Sequence, residues 1–342
     1  MSEIDFIPRP DQFVWTFGGA PPVATVQPGD VLRLWTEDAF GGVLQRTDQR
    51  PSELLDTRYL NPQTGPFLVA GAEPGDTLAI HLVAVEPARD WAASTTVPFF
   101  GGLTATDRTA MLHPALPERT WIYQLDRARR TVLFESTYPT AGGDPLRLEL
   151  PIDPMLGTVG VAPPLREVRS SLVPDTFGGN MDTPEMRAGV TCYLPVNVEG
   201  ALFSIGDGHY RQGEGESCGT AVEGAMDVTL IVDLVKGGPD RPAPSWPRIE
   251  SDDHLVVVGS ARPLEDAWRA SQVGMIGWLG ELYGLDPLDG YQLLTQISLA
   301  PLANVVDVNY SALTKLRKDL LPPARAYDGL HADLRARAAA LR

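Results

Sequence analysis

Pro74-Gly75-Asp76-Thr77-Leu78-Ala79-Ile80-His81-Leu82-Val83 runs a turn signal straight into a β-rich segment. The same tripeptide recurs upstream, where Pro28-Gly29-Asp30 precedes Val31-Leu32-Arg33-Leu34-Trp35-Thr36. Pro and Gly preset the turn, Asp closes it, and the partial apolar–polar alternation that follows reads as a strand. Two copies predict one supersecondary unit used twice. Working outward, Trp121–Leu125 and Thr131–Phe134 are expected to pair as a hairpin, and Leu146–Leu150 alternates cleanly. Val190–Val196 and Val228–Leu234 have strand composition, whereas the stretch from Pro154 to Pro164 reads as a Gly- and Pro-rich loop. Strands this frequent, without helices between them, predict a mainly β (α+β) fold. A β-sandwich-like or barrel-like core fits that pattern better than a parallel α/β sheet.

Helices are expected late and are added toward the C-terminus. After Pro263, Leu264, Trp268, Met275, Leu279 and Leu282 fall at helical spacing until Gly284. Asp286-Pro287 caps a second helix through Leu293, Leu294 and Ile297. Val306, Val308 and Tyr310 alternate as one more strand, and the Ala- and Arg-rich stretch His331–Arg342 is helical by propensity. No low-complexity linker interrupts the chain. One body over 1–342 is expected, with a 1–150 β subdomain and a 151–342 α+β subdomain packed together as the alternative.

Composition narrows the function. The 342 residues are 43% hydrophobic and 21% charged, enough for a substantial core. Gly (33) and Pro (31) are in excess, which argues for many turns and against a coiled coil. The net charge of −16 repels phosphate backbones and anionic lipid surfaces, so neither nucleic acid nor a membrane is an expected partner. No stretch reaches the length of an apolar membrane span, and acid stands near Met1 where a secretory leader carries base. These features lead us to expect a soluble, cytoplasmic protein. The two cysteines exclude a disulfide scaffold and a four-sulfur zinc site. The apolar faces of the late helices make a homodimer the expected assembly.

The densest polar stretch is Gly206-Asp207-Gly208-His209-Tyr210-Arg211-Gln212-Gly213-Glu214-Gly215-Glu216-Ser217-Cys218-Gly219-Thr220-Ala221-Val222-Glu223. It reads either as a solvated acidic loop or as carboxylates and an imidazole converging on a divalent cation. Phe177-Gly178-Gly179-Asn180-Met181-Asp182 is a second Gly-rich turn, ending in an amide and an acid. His81 lies on the strand face opposite Leu78, Ile80 and Leu82, and Asp38 follows a strand end. Cys192 shares a face with Val190, Leu194 and Val196 and is expected to be a core thiol, whereas Cys218 sits in the polar stretch. Nucleophile-elbow, Walker A and His-Glu-x-x-His signatures are missing from the sequence.

Taken in order, several motifs resemble the acetamidase/formamidase family. They are Asn61-Pro62-Gln63-Thr64-Gly65-Pro66, Gly75-Asp76, Leu156–Pro163, Gly178–Asp182, Tyr193-Leu194-Pro195-Val196 and the Gly-Asp-Gly-His-x-x-Gln-Gly-x-Gly-Glu run at 206–216. The resemblance spans about residues 20–310 and implies a mainly β fold with added helices. It also implies metal-dependent hydrolysis of short aliphatic amides to carboxylate and ammonia. Carried over by position, it makes Asp38, His81, Asp182, His209 and Glu223 the candidate metal ligands. Glu216 becomes the expected proton shuttle, Asn180 the oxyanion donor and Gln212 a substrate contact. Zinc is the expected cation, with calcium or magnesium as carboxylate-compatible alternatives. Relatives often carry a His before the first Pro-Gly-Asp, where this chain has Phe13-Val14-Trp15-Thr16. Alternative expectations are hydrolysis of another amide or a cyclic amide on the same scaffold, or a non-catalytic metal- or ligand-binding β-domain.

Overall fold

The two Pro-Gly-Asp turns launch strands that flank a third from opposite sides. In the computed structural model, which describes residues 2–103 and 116–341, Val31–Thr36 and Thr77–Pro87 both pair antiparallel with Met226–Val235. In each turn the Asp carboxylate accepts the backbone N–H three residues upstream, Gln27 for Asp30 and Glu73 for Asp76, both at 2.9 Å. Each turn also exchanges two backbone hydrogen bonds with a neighbouring strand, at Val232 for the first and Val196 for the second. The repeat is therefore a real structural unit, used on both edges of the central strand.

These strands belong to a nine-stranded sheet ordered Glu3–Phe6, Val31–Thr36, Met226–Val235, Thr77–Pro87, Thr191–Pro195, Arg248–Glu250, His254–Ala261, Tyr310–Arg317 and Leu302–Asn304. A five-stranded sheet faces it, ordered Gly178–Asn180, Met155–Gly160, Phe203–His209, Gln63–Val69 and Ala24–Val26. Alternation puts Leu32, Leu34, Leu78, Ile80, Leu82, Cys192, Leu194, Leu230 and Val232 on the inner face of the large sheet. Val26, Phe67, Val69, Val159, Phe203 and Ile205 answer from the small one, and together they form one dry core. This is the expected sandwich, and Cys192 is the expected core thiol. A four-stranded antiparallel sheet, ordered Pro145–Pro151, Thr131–Pro139, Arg119–Asp126 and Trp91–Thr96, contains the hairpin and the alternating strand read from the sequence.

The helices cover the outer face of the large sheet. The expected pair is present as Leu264–Tyr283 and Pro287–Ile297, with the Asp286 carboxylate accepting from Leu288 N–H at 2.8 Å. Trp278, Met275, Leu279 and Leu294 pack on Leu255, Val257 and Leu316. The apolar faces that suggested pairing between copies thus rest largely on the protein's own sheet. No helix among the described residues is long and apolar enough to cross a membrane. The contact between sheet and first helix is set by Gly259: a Cβ there would stand 2.2 Å from Ala267 O and 2.5 Å from Ser271 N.

The last helix, Leu330–Ala339, covers the other half of that face, with Leu334 and Ala338 against Val31, Ala79, Val83, Tyr193 and Ile231. Arg342 lies outside the described residues. Beside this contact the Thr191 hydroxyl bridges two buried imidazoles, His81 Nδ1 and His331 Nδ1, each at 2.9 Å. Burial pushes the His81 imidazole down to about 4, with the neighbouring His331 adding to the effect.

Two sequence expectations are corrected. Residues 154–164 are not simply a loop, because Met155–Gly160 is a fully buried strand near the middle of the five-stranded sheet. Val306 and Val308 are not in a strand: a bend over 305–309 separates Leu302–Asn304 from Tyr310–Arg317. Glycines in the first case serve close packing, and apolar alternation in the second comes from two valines flanking a buried Asp307.

Two outcomes follow. Gly259→Ala forces the helix off the sheet and is expected to cost about 2 kcal/mol or more, read from urea unfolding. The folded His81 imidazole takes its proton at about 4, against about 6.5 when unfolded. The unfolded chain therefore binds more protons in between, and stability falls as pH drops through that window. His81→Gln is expected to flatten this part of the stability–pH curve.

Candidate active site

The strand Phe203–His209 carries Asp207 and His209 two residues apart, and its end is met by a short segment that brings in Glu223. Glu223 exchanges backbone hydrogen bonds with Ala93 at 2.8 and 2.9 Å, and Gly224 N–H donates to Gly208 O at 2.7 Å. This inserts residue 223 between the His209 strand and Trp91–Thr96. The neighbouring strand Met155–Gly160 pairs on its other side with Gly178–Asn180, and Asp182 follows directly. Between them Gly157 leaves the necessary space, since a Cβ there would stand 2.4 Å from both Asp182 Oδ1 and Asp207 Oδ2. Glu216 comes from the loop after the strand and Asp307 from the bend between the last two strands.

Asp182, Asp207, Glu216, Glu223, Asp307 and His209 are all buried. Their atoms form two overlapping groups around one imidazole, Asp182–His209–Glu216 and Asp207–His209–Glu223, each with candidate ligand atoms within 4.8 Å of one another. His209 Nε2 lies 3.1 Å from Glu223 Oε2 and 3.4 Å from Asp207 Oδ1. Neither approach has the alignment of a hydrogen bond: among the described residues, His209 Nε2, Glu223 Oε2 and Asp182 Oδ1 are buried without a hydrogen-bond partner. Asp182, Asp207 and Glu216 hold left-handed backbone, with φ of 45°, 58° and 44°. Non-glycine residues adopt such values where the surroundings enforce them, and they gather at functional sites.

The electrostatics follow from burial and like charge. Burial, then the neighbouring carboxylates, raises Asp182 well above the carboxylate range. Glu216 is raised by the same burial and by acidic neighbours, against the opposing pull of His209. Burial pushes Glu223 up to about 7 and Asp307 up to about 6. Burial also acts on Asp207, but His209 beside it outweighs that and leaves it below its ordinary value. His209 itself is pushed down by burial and, more strongly, upward by Glu223 and Asp207. A nest of acids with one base holds protons or a cation, because bare charges this close and this dry cannot coexist.

Amides tie the cluster together. Asn180 donates through Nδ2 to Asp182 Oδ2 and Asp307 Oδ2, both at 2.8 Å. Its Oδ1 accepts from Asn61 Nδ2 at 2.8 Å and from the Thr158 hydroxyl in a short contact. Gln63 Nε2 in turn donates to Asn61 Oδ1 at 2.8 Å. Gln212 donates from Nε2 to the carbonyls of Asp182 (2.6 Å) and Ala303 (3.0 Å), while its Oε1 stands 2.9 Å from His209 Nδ1.

Among the sequence-derived candidates, Asp182, His209, Glu216 and Glu223 are brought together. Asp38 is not: it is buried in an ion pair with Arg89 and accepts from Phe40 N–H and Gly42 N–H, both at 2.9 Å. His81 sits on the outer face of the large sheet, bonded to Thr191, in neither group. Asn180 spends both amide hydrogens on carboxylates and keeps no donor for an oxyanion. The hydrogen bonds the structure gives Gln212 all go to protein atoms around His209 and Asp182. Asp207 and Asp307 were missed as site residues. Asp207 lies inside the Gly-Asp-Gly-His run as one acid among several, and the strand-like alternation of Val306 and Val308 disguises Asp307.

Comparison with known proteins agrees with this architecture. The family model described as Acetamidase/Formamidase family matches residues 17–166 and 164–260. The acetamidase of Mycolicibacterium smegmatis is 28% identical over 298 residues, covering 72% of this chain and 70% of that protein. The formamidase of Methylophilus methylotrophus is 27% identical over 289 residues, covering 70% and 69%. The crystal structure of an acetamidase from Yersinia enterocolitica superposes with a TM-score of 0.85 at 38% identity, covering 94% of this chain and 93% of that one. With a family match over most of its length and a solved relative sharing its fold nearly end to end, this chain belongs to the acetamidase/formamidase family.

Proposed function

We propose that the protein is an amidase that hydrolyses short aliphatic amides, of the formamide and acetamide type, to carboxylate and ammonia. In this reading a divalent cation is seated at His209. Membership of the family supports amide hydrolysis, and the names of the relatives point to small amides. The observation that carries the cation is the set of buried atoms, His209 Nε2, Glu223 Oε2 and Asp182 Oδ1, which have no hydrogen-bond partner among the described residues and stand among acids that repel one another. One imidazole with several carboxylates suits zinc and also accepts harder cations. Burial of every member of the cluster suits a small substrate better than a bulky one.

His209, Asp207 and Glu223 would hold the cation, with Asp182 and Glu216 within reach of the same imidazole. A cation there supplies Lewis acidity, which activates water at neutral pH and polarises the amide carbonyl. The chain's own residues do the rest. Glu216, within reach of the same imidazole, takes a proton from water in its ionised form and returns it to the departing nitrogen. Asn180 donates to both Asp182 and Asp307 and keeps them oriented while this happens.

Chelation is expected to abolish ammonia release from formamide and acetamide, with recovery on adding back zinc. Release that survives exhaustive chelation would sink the cation. Glu216→Gln is expected to lower kcat by about 100-fold or more while metal content is retained. A third expectation concerns pH. Glu223 is protonated below about 7, and bound protons compete with the metal. Apparent affinity should therefore climb between about pH 6 and 8, with protons released on binding, as calorimetry in two buffers can read.

A further inference from the structure

Gln212 is the point where three segments of the site meet. Its Nε2 reaches the Asp182 and Ala303 carbonyls, at 2.6 and 3.0 Å, and its Oε1 faces His209 Nδ1 at 2.9 Å. Carbonyl oxygens only accept, so the amide nitrogen must point at them and its oxygen at the imidazole. Turning the amide over would set oxygen against two carbonyls. With Oε1 an acceptor, Nδ1 carries the hydrogen, and the lone pair or second proton of the ring belongs to Nε2. That atom faces Glu223 and Asp207 and is buried without a hydrogen-bond partner among the described residues.

We propose that Gln212 is a positioning residue: it fixes the orientation and tautomer of His209 so that Nε2, and not Nδ1, is presented to the carboxylates. It deepens the proposed cation site and rests on it for its consequence for metal binding. The hydrogen bond to Nδ1, by contrast, stands without that site. The same side chain anchors the backbone at Asp182 and at Ala303, the residue before Asn304, whose side chain lies 3.4 Å from Asp182 Oδ2. One amide thereby keeps the imidazole in register with the acids on both sides of it. A partner that orients a metal-bound imidazole in this way typically influences metal affinity by about 10- to 100-fold.

The test compares the full chain with Gln212→Leu and Gln212→Glu, using His209→Gln to assign the ring signals. In 15N-histidine-labelled, metal-free protein, a slowly exchanging His209 Nδ1–H resonance is expected in the parent. It should persist in Gln212→Glu, whose carboxyl in its protonated form donates to one of the two carbonyls and still accepts from Nδ1, and vanish in Gln212→Leu. Zinc affinity, measured by competition with a chromophoric chelator, is expected to fall about 10- to 100-fold in Gln212→Leu and less in Gln212→Glu. A Gln212→Leu protein with an unchanged Nδ1–H signal and unchanged affinity overturns the proposal. If Gln212→Leu does not fold, loss of the Nδ1–H signal in folded Gln212→Glu overturns it instead. If the ring signal behaves as expected but no variant and not the parent binds zinc, the cation reading fails while the positioning role stands.

Discussion

The mutual repulsion of Asp182, Asp207, Glu216, Glu223 and Asp307, buried around one imidazole, is the constraint on which the rest of the site depends. A buried unpaired carboxylate is costly, and several together are tolerable only if each is oriented and its charge compensated. The amides of Asn180, Asn61, Gln63 and Gln212 supply the orientation. Among the described residues, His209 supplies the positive partner of the cluster. The strained backbone at Asp182, Asp207 and Glu216 fits the same picture: three acids are aimed inward by conformations that side chains ordinarily avoid. Such strain persists because the sandwich behind it is rigid and dry.

The division of labour between the sheets explains where the site lies. The nine-stranded sheet builds the core with one face and receives helices on the other. The five-stranded sheet carries three of the six site residues, Asp207 and His209 on a strand and Asp182 two residues past another. Its glycines let strands and carboxylates approach as side-chain-bearing residues could not, as at Gly157.

Much of this was legible in the amino-acid sequence, for physical reasons. Period-two alternation marks Val31–Thr36, Thr77–Val83 and Val228–Leu234 because each has a core face, and it put His81 correctly opposite Leu78, Ile80 and Leu82. It could not tell that this opposite face meets the last helix and not the site, since that depends on a contact between residues 110 and 140 positions apart in the chain. Asp38 failed for a related reason, because its partner Arg89 is distant in sequence. Glycine misled twice, at 154–164 and at 206–209, where a residue usually read as a turn former makes room inside a strand. The motif carrying Asp207, His209, Glu216 and Glu223 was visible because those residues are close in the chain. Asp307, contributed from elsewhere, carried no local signal.

The first Pro-Gly-Asp turn has one more bearing on how the molecule comes to exist. Ser2 N–H donates to Asp30 Oδ1 at 2.7 Å, and Arg337, on the last helix, donates to the carbonyl of Gly29 at 2.6 Å. Ser2 and the last helix therefore hold neighbouring residues of the same turn. That second contact joins residues 308 positions apart, so it forms only once the last helix has docked. The apolar burial of Leu334 and Ala338 against Val31 and Ala79 offsets the entropy of closing so long a loop, and the hydrogen bond at Gly29 is a consequence of that docking.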